Sequence, residues 1–368
     1  MSRPYKPPPT VHNVQPDARR GRGSATRSAG RFERFQTQVF DDGWDTIDEE
    51  PPPLRTTVQP DKARTVISYN QSPDIAFDRS INPYRGCEHG CVYCFARPSH
   101  AYLGLSPGLD FESKLFAKFD APEVLERELR KKGYKPAVIA LGVNTDCYQP
   151  IERVHGITRR ILEVLSAFNH PVTIITKSQL IQRDLDILAD MSRRGLVSAA
   201  VSLTSLDRTL ARRMEPRAAT PSRRLATLEA LNKAGVPTTV MTAPLIPGLN
   251  DHEIDALLQA AHDAGTGRAG YVLLRMPFEI KDLFRDWLEE HYPDRARKVI
   301  NLVRSTRGGK DYDASFFTRG KGEGPYAALI AQRFQAACRR LGMDKPRHAL
   351  DLSKFSPPLA DGDQFSLF

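Results

Sequence analysis

The chain has 368 residues, 40% of them hydrophobic, enough for one large α/β domain with extensions or for two to three average domains. Five cysteines, an odd number, fit a reducing cytoplasm better than a disulfide framework; no apolar run approaches membrane-spanning length, and Met1-Ser-Arg-Pro-Tyr-Lys6 lacks the apolar stretch of a secretory signal, so a cytoplasmic protein without membrane contact is expected. With 53 Lys and Arg against 44 Asp and Glu, the net charge of +9 favours polyanionic partners, nucleic acid first.

Residues 1–60 read as a disordered extension, basic and proline-rich. Pro7-Pro-Pro9 and Arg19-Arg-Gly-Arg-Gly23 come first, an acidic stretch follows from Asp41 to Glu50, and the apolar residues keep no period. Residues 61–280 read as the core, a strand–helix alternation. A first strand is expected near 77–82, then short β-branched runs at 137–143, 172–176, 197–203, 236–242 and 271–276. Near-continuous apolar runs suit parallel strands buried on both faces. Asp120, with Pro122 and Glu123 behind it, reads as a helix N-cap with a capping-box carboxylate. Asn250 reads as the cap of a second helix, whose Ile254, Leu257, Leu258 and Ala261 form one apolar stripe. Six β/α units result. Past Pro277 the strands stop, and amphipathic helices at about 283–304 and 324–341 give a helical cap across 281–355, with Cys338 on an apolar helix face; 356–368 is a flexible tail.

The loop after the first expected strand carries Cys87, Cys91 and Cys94 in the run Arg85-Gly-Cys-Glu-His-Gly-Cys-Val-Tyr-Cys94. Three thiolates can hold a [4Fe–4S] cluster by three corners and leave one iron open to bind and activate a substrate or co-substrate. Gly86 and Gly90 give the backbone freedom to wrap a bulky group. A local disulfide would leave one thiol unpaired. A zinc site could use the three cysteines with His89, but no second ligand pair with finger or ribbon spacing follows. Buried structural cysteines rarely cluster so densely among glycines and polar residues.

The C-x3-C-x2-C spacing, with Tyr93 before the last cysteine, resembles the signature of radical S-adenosylmethionine (SAM) enzymes. The motifs Asn82-Pro-Tyr-Arg-Gly-Cys87, Thr145-Asp-Cys-Tyr-Gln-Pro150, Thr176-Lys-Ser178 and Pro244-Leu-Ile-Pro-Gly248 resemble the spore photoproduct lyase-like branch, across roughly 65–345. The resemblance implies a partial (β/α)6 barrel with the cluster loop on its C-terminal rim. It implies a [4Fe–4S] cluster on Cys87, Cys91 and Cys94, with SAM on the open iron. Tyr93 and Ile246 would then lie by the adenine, Asn144 and Thr145 near the SAM amino group, Lys177 near its carboxylate and Ser202 near the ribose. The implied chemistry is reductive cleavage of SAM to a 5′-deoxyadenosyl radical that removes a hydrogen atom from an unactivated carbon. The electron would come from a donor such as flavodoxin or ferredoxin.

The branch uses a cysteine near the end of the second strand to return a hydrogen atom. The comparable position here is Val143, and Cys147 follows Thr145-Asp146 instead, so Cys147 is a displaced candidate for the catalytic donor. The last residues, Gln364-Phe-Ser-Leu-Phe368, resemble the pentapeptide that docks bacterial repair proteins on the sliding clamp, with Phe365 where leucine is usual. Charge, tail and resemblance together point to a lyase- or repair-like radical SAM enzyme acting on nucleic acid. The alternatives are a radical SAM enzyme with a small-molecule or protein substrate, and a non-catalytic zinc module that binds nucleic acid.

Overall fold

The computed structural model describes residues 21–24, 26–28, 30–32, 54–346 and 348–359. The strands among them, in chain order, are β1 (Thr57–Pro60), β2 (Ile67–Tyr69), β3 (Arg79–Ile81), β4 (Tyr84–Arg85), β5 (Lys114–Ala117), β6 (Ile139–Leu141), β7 (Val172–Thr176), β8 (Val197–Ser202), β9 (Thr238–Leu245) and β10 (Ala269–Leu273). The large sheet has the order β10-β9-β8-β7-β6-β3-β2. Its six strands from β3 to β10 are mutually parallel, and β2 adds an antiparallel edge to β3. The six expected β/α units are all present. Ile81 sits opposite Leu141, Leu141 opposite Ile174, and Ile174 opposite Ala199, a buried row that runs across the sheet. Parallel strands share a direction, so their C-terminal ends share one rim, and the loops that leave it start close together.

Helices follow the strands and bury one stripe each on the sheet. Ile157–Ala167 buries Ile161, Leu162 and Leu165; Leu185–Arg193 buries Leu188 and Met191; Pro221–Lys233 buries Leu228 and Leu231. In Ile254–Asp263 the expected stripe of Ile254, Leu257, Leu258 and Ala261 is buried. The C-terminal helix Gly324–Leu341 packs on Ile254–Asp263 and buries Ile330, Phe334 and Cys338. No helix among the described residues is long and apolar enough to cross a membrane.

Several local expectations need correction. The single helix expected at 283–304 is two, Ile280–His291 and Pro293–Ser305, because Pro293 lacks an N–H and forces Tyr292 out of the helical region, to φ −145°. Asp120 makes no side-chain cap bond at the helix Ala121–Leu129. Asn250 caps nothing with its side chain. Its carboxamide turns back instead, accepting from the Ile246 N–H at 2.6 Å and donating to Thr204 O and Pro244 O. A second small sheet, β1-β5-β4, was not anticipated; β5 pairs parallel with β1 and antiparallel with β4, directly before the cysteine loop. Within 1–60, β1 and the described parts of 21–32 pack on the domain, Ser24 and Thr26 being buried. At the other end Phe355 packs beside Tyr134, Phe168 and His170, and the Ser356 N–H donates to Phe168 O. Gln364–Phe368 lies outside the described residues.

Candidate active site

The cysteine loop leaves the end of β4. Gly86 adopts φ +74°, and a Cβ there would run into Leu115, the Phe111 carbonyl and His100, so the turn that aims Cys87 requires glycine. The Cys87 N–H donates to Phe111 O at 2.9 Å. Gln149 pins the same turn from the loop after β6: its Oε1 accepts from the Glu88 N–H (2.8 Å) and its Nε2 donates to Gly86 O (3.1 Å). From the other side Arg97 reaches back with all three of its nitrogens. It donates to Cys91 O, Gly90 O, Pro107 O and Gly108 O at 2.8–3.1 Å and pairs with Glu112 at 2.5 Å, both side chains fully buried. A planar guanidinium with five N–H groups suits this duty, since it can satisfy several loop carbonyls that would otherwise be buried unpaired.

Glu112 also receives the N-terminal segment. The Gly23 and Ser24 N–H groups donate to its two oxygens at 2.9 Å each, and a Cβ on Gly23 would overlap the Gly90 carbonyl. Farther along this strap, Arg31 pairs with Glu279 at 2.7 Å and lies 3.8 Å from the centroid of Phe278, past the end of β10. The strap thus joins the cysteine loop, after the first parallel strand, to the segment that follows the last one.

Two carboxylates, the buried Glu215 and the mostly buried Asp146, organise the interior of the rim. Asp146 accepts from Thr176 Oγ1 and the Lys177 N–H at 2.7 Å and pairs with His89 Nδ1 at 3.3 Å. Burial alone would raise its pKa; His89, the Lys177 N–H and the Thr176 hydroxyl outweigh that and hold it at about 2. Glu215 takes hydrogen bonds from the Tyr93 hydroxyl, the Thr204 hydroxyl at 2.7 Å and Arg224. It too stays ionised, its pKa held at about 2, burial being overcome by Arg224, Lys177 and Tyr93. Lys177 places its ammonium 5.8 Å from the Tyr93 ring centroid. Burial would lower its pKa, but Cys91 and Glu215 raise it, so the amine is cationic.

The structure brings together some of the residues singled out above and separates others. Cys91, Tyr93 and Ile246 share one buried apolar cluster, and Cys94 packs against it. Ser202, at the end of β8, is buried and its carbonyl accepts from Arg224 at 3.1 Å. Asn144 is exposed on the rim, its N–H bonded to Asn82 Oδ1. The Thr145 hydroxyl is occupied, donating to Tyr84 O at 2.8 Å. Cys147 is fully buried in the main core with Tyr84, Tyr148 and Ile151, its sulfur beneath Gly142, rather than in the cluster around Cys91. Arg97, Glu112, Glu215 and Arg224 were missed by sequence reading, and Gln149 appeared only inside the motif Thr145-Asp-Cys-Tyr-Gln-Pro150 with no role assigned. The one available signal was Met214-Glu-Pro-Arg217, a lone acid behind a basic helix end.

The residues fit a cluster held by three thiolates. Cys87, Cys91 and Cys94 are free and close enough to influence one another, and Cys87 and Cys91 are buried among apolar neighbours. Burial pushes the Cys91 thiol up to about 12 and Cys87 upward as well, so metal binding there would release protons. His89, the fourth ligand of the zinc alternative, is engaged with Asp146.

Comparison with known proteins bears on the family and the fold. The model of the Radical SAM superfamily matches residues 81–261. An uncharacterised protein of Mycobacterium tuberculosis is 37% identical over 240 residues, covering 64% of this chain and 71% of that one. An uncharacterised protein of Methanocaldococcus jannaschii is 24% identical over 247 residues, covering 67% and 88%. Among solved structures, a point mutant of spore photoproduct lyase superposes with a TM-score of 0.54 at 17% identity, covering 82% of this chain and 80% of that one. Spore photoproduct lyase complexed with dinucleoside spore photoproduct gives 0.54 at 17% identity, covering 77% and 78%. At that identity the likeness concerns the fold.

Proposed function

The chain belongs to the radical SAM superfamily and is an enzyme of it; from that premise we propose that it acts on nucleic acid in a lyase- or repair-like reaction. The observation that carries the proposal is the rim itself: three free cysteines beside an apolar floor of Tyr93 and Ile246, with a cationic Lys177 over the Tyr93 ring. The net charge of +9 and a fold shared with a lyase whose structure holds a dinucleoside photoproduct support the choice of substrate.

Cys87, Cys91 and Cys94 would hold a [4Fe–4S] cluster, and Lys177 suits the carboxylate of SAM as a charge-assisted donor. When bound, the cluster supplies the electron that cleaves SAM to methionine and a 5′-deoxyadenosyl radical. The chain's own part is to hold this arrangement still and dry. Glu215 and Arg224 fix the Tyr93 ring, Asp146 fixes the backbone of Lys177, and Ile246, fully buried, excludes water from the floor. A base in a duplex would have to be turned out of its stack to reach this rim. A flavodoxin or ferredoxin would supply electrons in the cytoplasm. Hydrogen return by Cys147 would require the loop from Gly142 to Cys147 to open, and product partitioning in Cys147→Ala tests it.

The deciding experiment is anaerobic reconstitution with iron and sulfide, followed by SAM cleavage with deuterated DNA or RNA. Deuterium in the deoxyadenosine supports the reading. Transfer only from small-molecule or protein substrates, or a colourless zinc protein, would overturn it. Cys91→Ala should abolish normal cluster assembly and deoxyadenosine formation; full production by that variant would remove the three-cysteine assignment.

A further inference from the structure

Several partly buried arginines are neutralised: Arg31 by Glu279, Arg285 and Arg304 by Asp282 and Asp311 together, Arg319 by Asp74. Arg275 is not. It lies two residues past the end of β10, and among the described residues no carboxylate stands within ion-pair distance of it. It donates to the Tyr312 hydroxyl at 3.2 Å, and its Nε is buried without a partner. The guanidinium lies 5.2 Å from the ring centroid of Phe95 and 6.0 Å from that of Tyr312. Phe95 directly follows Cys94 and is 46% exposed. Leu274 and Met276, on either side of Arg275, pack in the apolar cluster that contains Cys91 and Tyr93, which fixes Arg275 beside the cysteine loop. Behind it Arg307, 2% exposed, spends its Nη groups on the carbonyls of Thr318, Leu273 and Leu274, adding a second positive charge without a paired carboxylate.

A guanidinium with no carboxylate partner among the described residues, next to a half-exposed aromatic ring, is the complement of an anion joined to a flat ring. We propose that Arg275, Phe95 and Tyr312 form a substrate subsite for one nucleotide unit: Arg275 takes a phosphate oxygen, Tyr312 orients the guanidinium, and the exposed side of Phe95 stacks on the base. This rests on the nucleic-acid reading above and adds the residues that recognise the substrate. Arg275 is a binding residue and moves no proton in the reaction.

The test measures binding of a fluorescein-labelled unpaired oligonucleotide to the full-length reconstituted protein across a salt series. Arg275→Gln should weaken binding about tenfold and reduce the slope of log affinity against log salt by about one, as loss of one phosphate contact requires. Phe95→Leu should weaken binding about tenfold with the slope unchanged, because stacking releases no counterion. Arg275→Lys, which keeps the charge, should keep the slope. If the unaltered protein binds and Arg275→Gln binds with the same affinity and slope, the subsite is wrong and the nucleic-acid reading stands. A salt slope in Arg275→Lys that falls with that of Arg275→Gln would assign Arg275 to packing and overturn the subsite. If the unaltered protein does not bind the oligonucleotide at any salt, the nucleic-acid reading falls and the subsite with it.

Discussion

The sheet core and the cysteine rim are both buried, yet they are held by different forces. In the core, Ile81, Leu141, Ile174 and Ala199 meet across parallel strands, and the stabilisation scales with apolar area and close packing. On the rim, the work falls to charges out of water, Arg97 with Glu112 and Arg224 with Glu215. Such pairs add little net stability, because desolvation consumes most of their attraction, but removing one member strands the other. An apolar core accepts many side chains of the right volume, whereas each rim pair accepts one geometry. The core sets whether the chain folds, and the rim sets where the thiols point.

This contrast can be broken experimentally. The largest expected effect is that of Arg97→Met, which leaves Glu112 buried without its guanidinium and should cost about 3–5 kcal/mol in urea unfolding. Leu162→Ala in the core should cost about 2–5 kcal/mol by opening a cavity. The two variants should separate in iron retention after desalting, with Arg97→Met losing cluster and Leu162→Ala keeping it while folded. Equal retention would dissolve the distinction drawn here.

A smaller effect concerns His170. Its Nδ1 lies 3.0 Å from Pro171 O, which can only accept, so the proton sits there and Nε2 accepts from the Tyr134 hydroxyl at 2.8 Å. Burial, only partly offset by the Pro171 carbonyl, holds its pKa at about 4. Neutral His170 is therefore the folded form, while the unfolded chain takes up a proton near the ordinary value of about 6.5. Its contribution is complete above that value and is lost as pH falls towards 4. Between pH 7 and pH 5 it should amount to about 2 kcal/mol. Urea midpoints at the two pH values should differ less in His170→Gln than in the unaltered protein; an unchanged difference would show that other groups carry it.

The smallest effect separates a frame residue from a ligand. Thr145→Val removes the hydrogen bond to Tyr84 O and should cost about 1 kcal/mol. With the hydroxyl committed to the backbone, the KM for SAM should stay unchanged. A large rise in KM would return Thr145 to the cofactor.

Much of the fold was legible because β-branched runs and helical stripes report burial, and burial repeats along the chain. The strands at 172–176 and near 197–203, and the helix at 324–341, fall where their patterns put them. The short strands β1, β4 and β5 were not legible, since none belongs to a near-continuous apolar run of the kind that marked β6, β7 and β8. At the site, Cys91, Tyr93 and Ile246 fall in one buried apolar cluster. The role of Asn250 was misread. Asn250 looked like a cap because cap residues and loop-holding residues share the same carboxamide chemistry, and only the direction of the side chain tells them apart. Partners such as Tyr93 and Glu215 lie 122 residues apart, beyond the reach of any local pattern.

The strap has a consequence for the order of events in the life of the chain. Gly23 and Arg31 are made early, yet they seat on Glu112 and Glu279, 89 and 248 positions downstream. Neither receptor exists until the ribosome has passed it, and Glu279 is presented only once the last parallel strand is in place. A segment synthesised before the whole sheet is thus among the last to dock. Until it does, Gly90 and one side of the cysteine loop stand open.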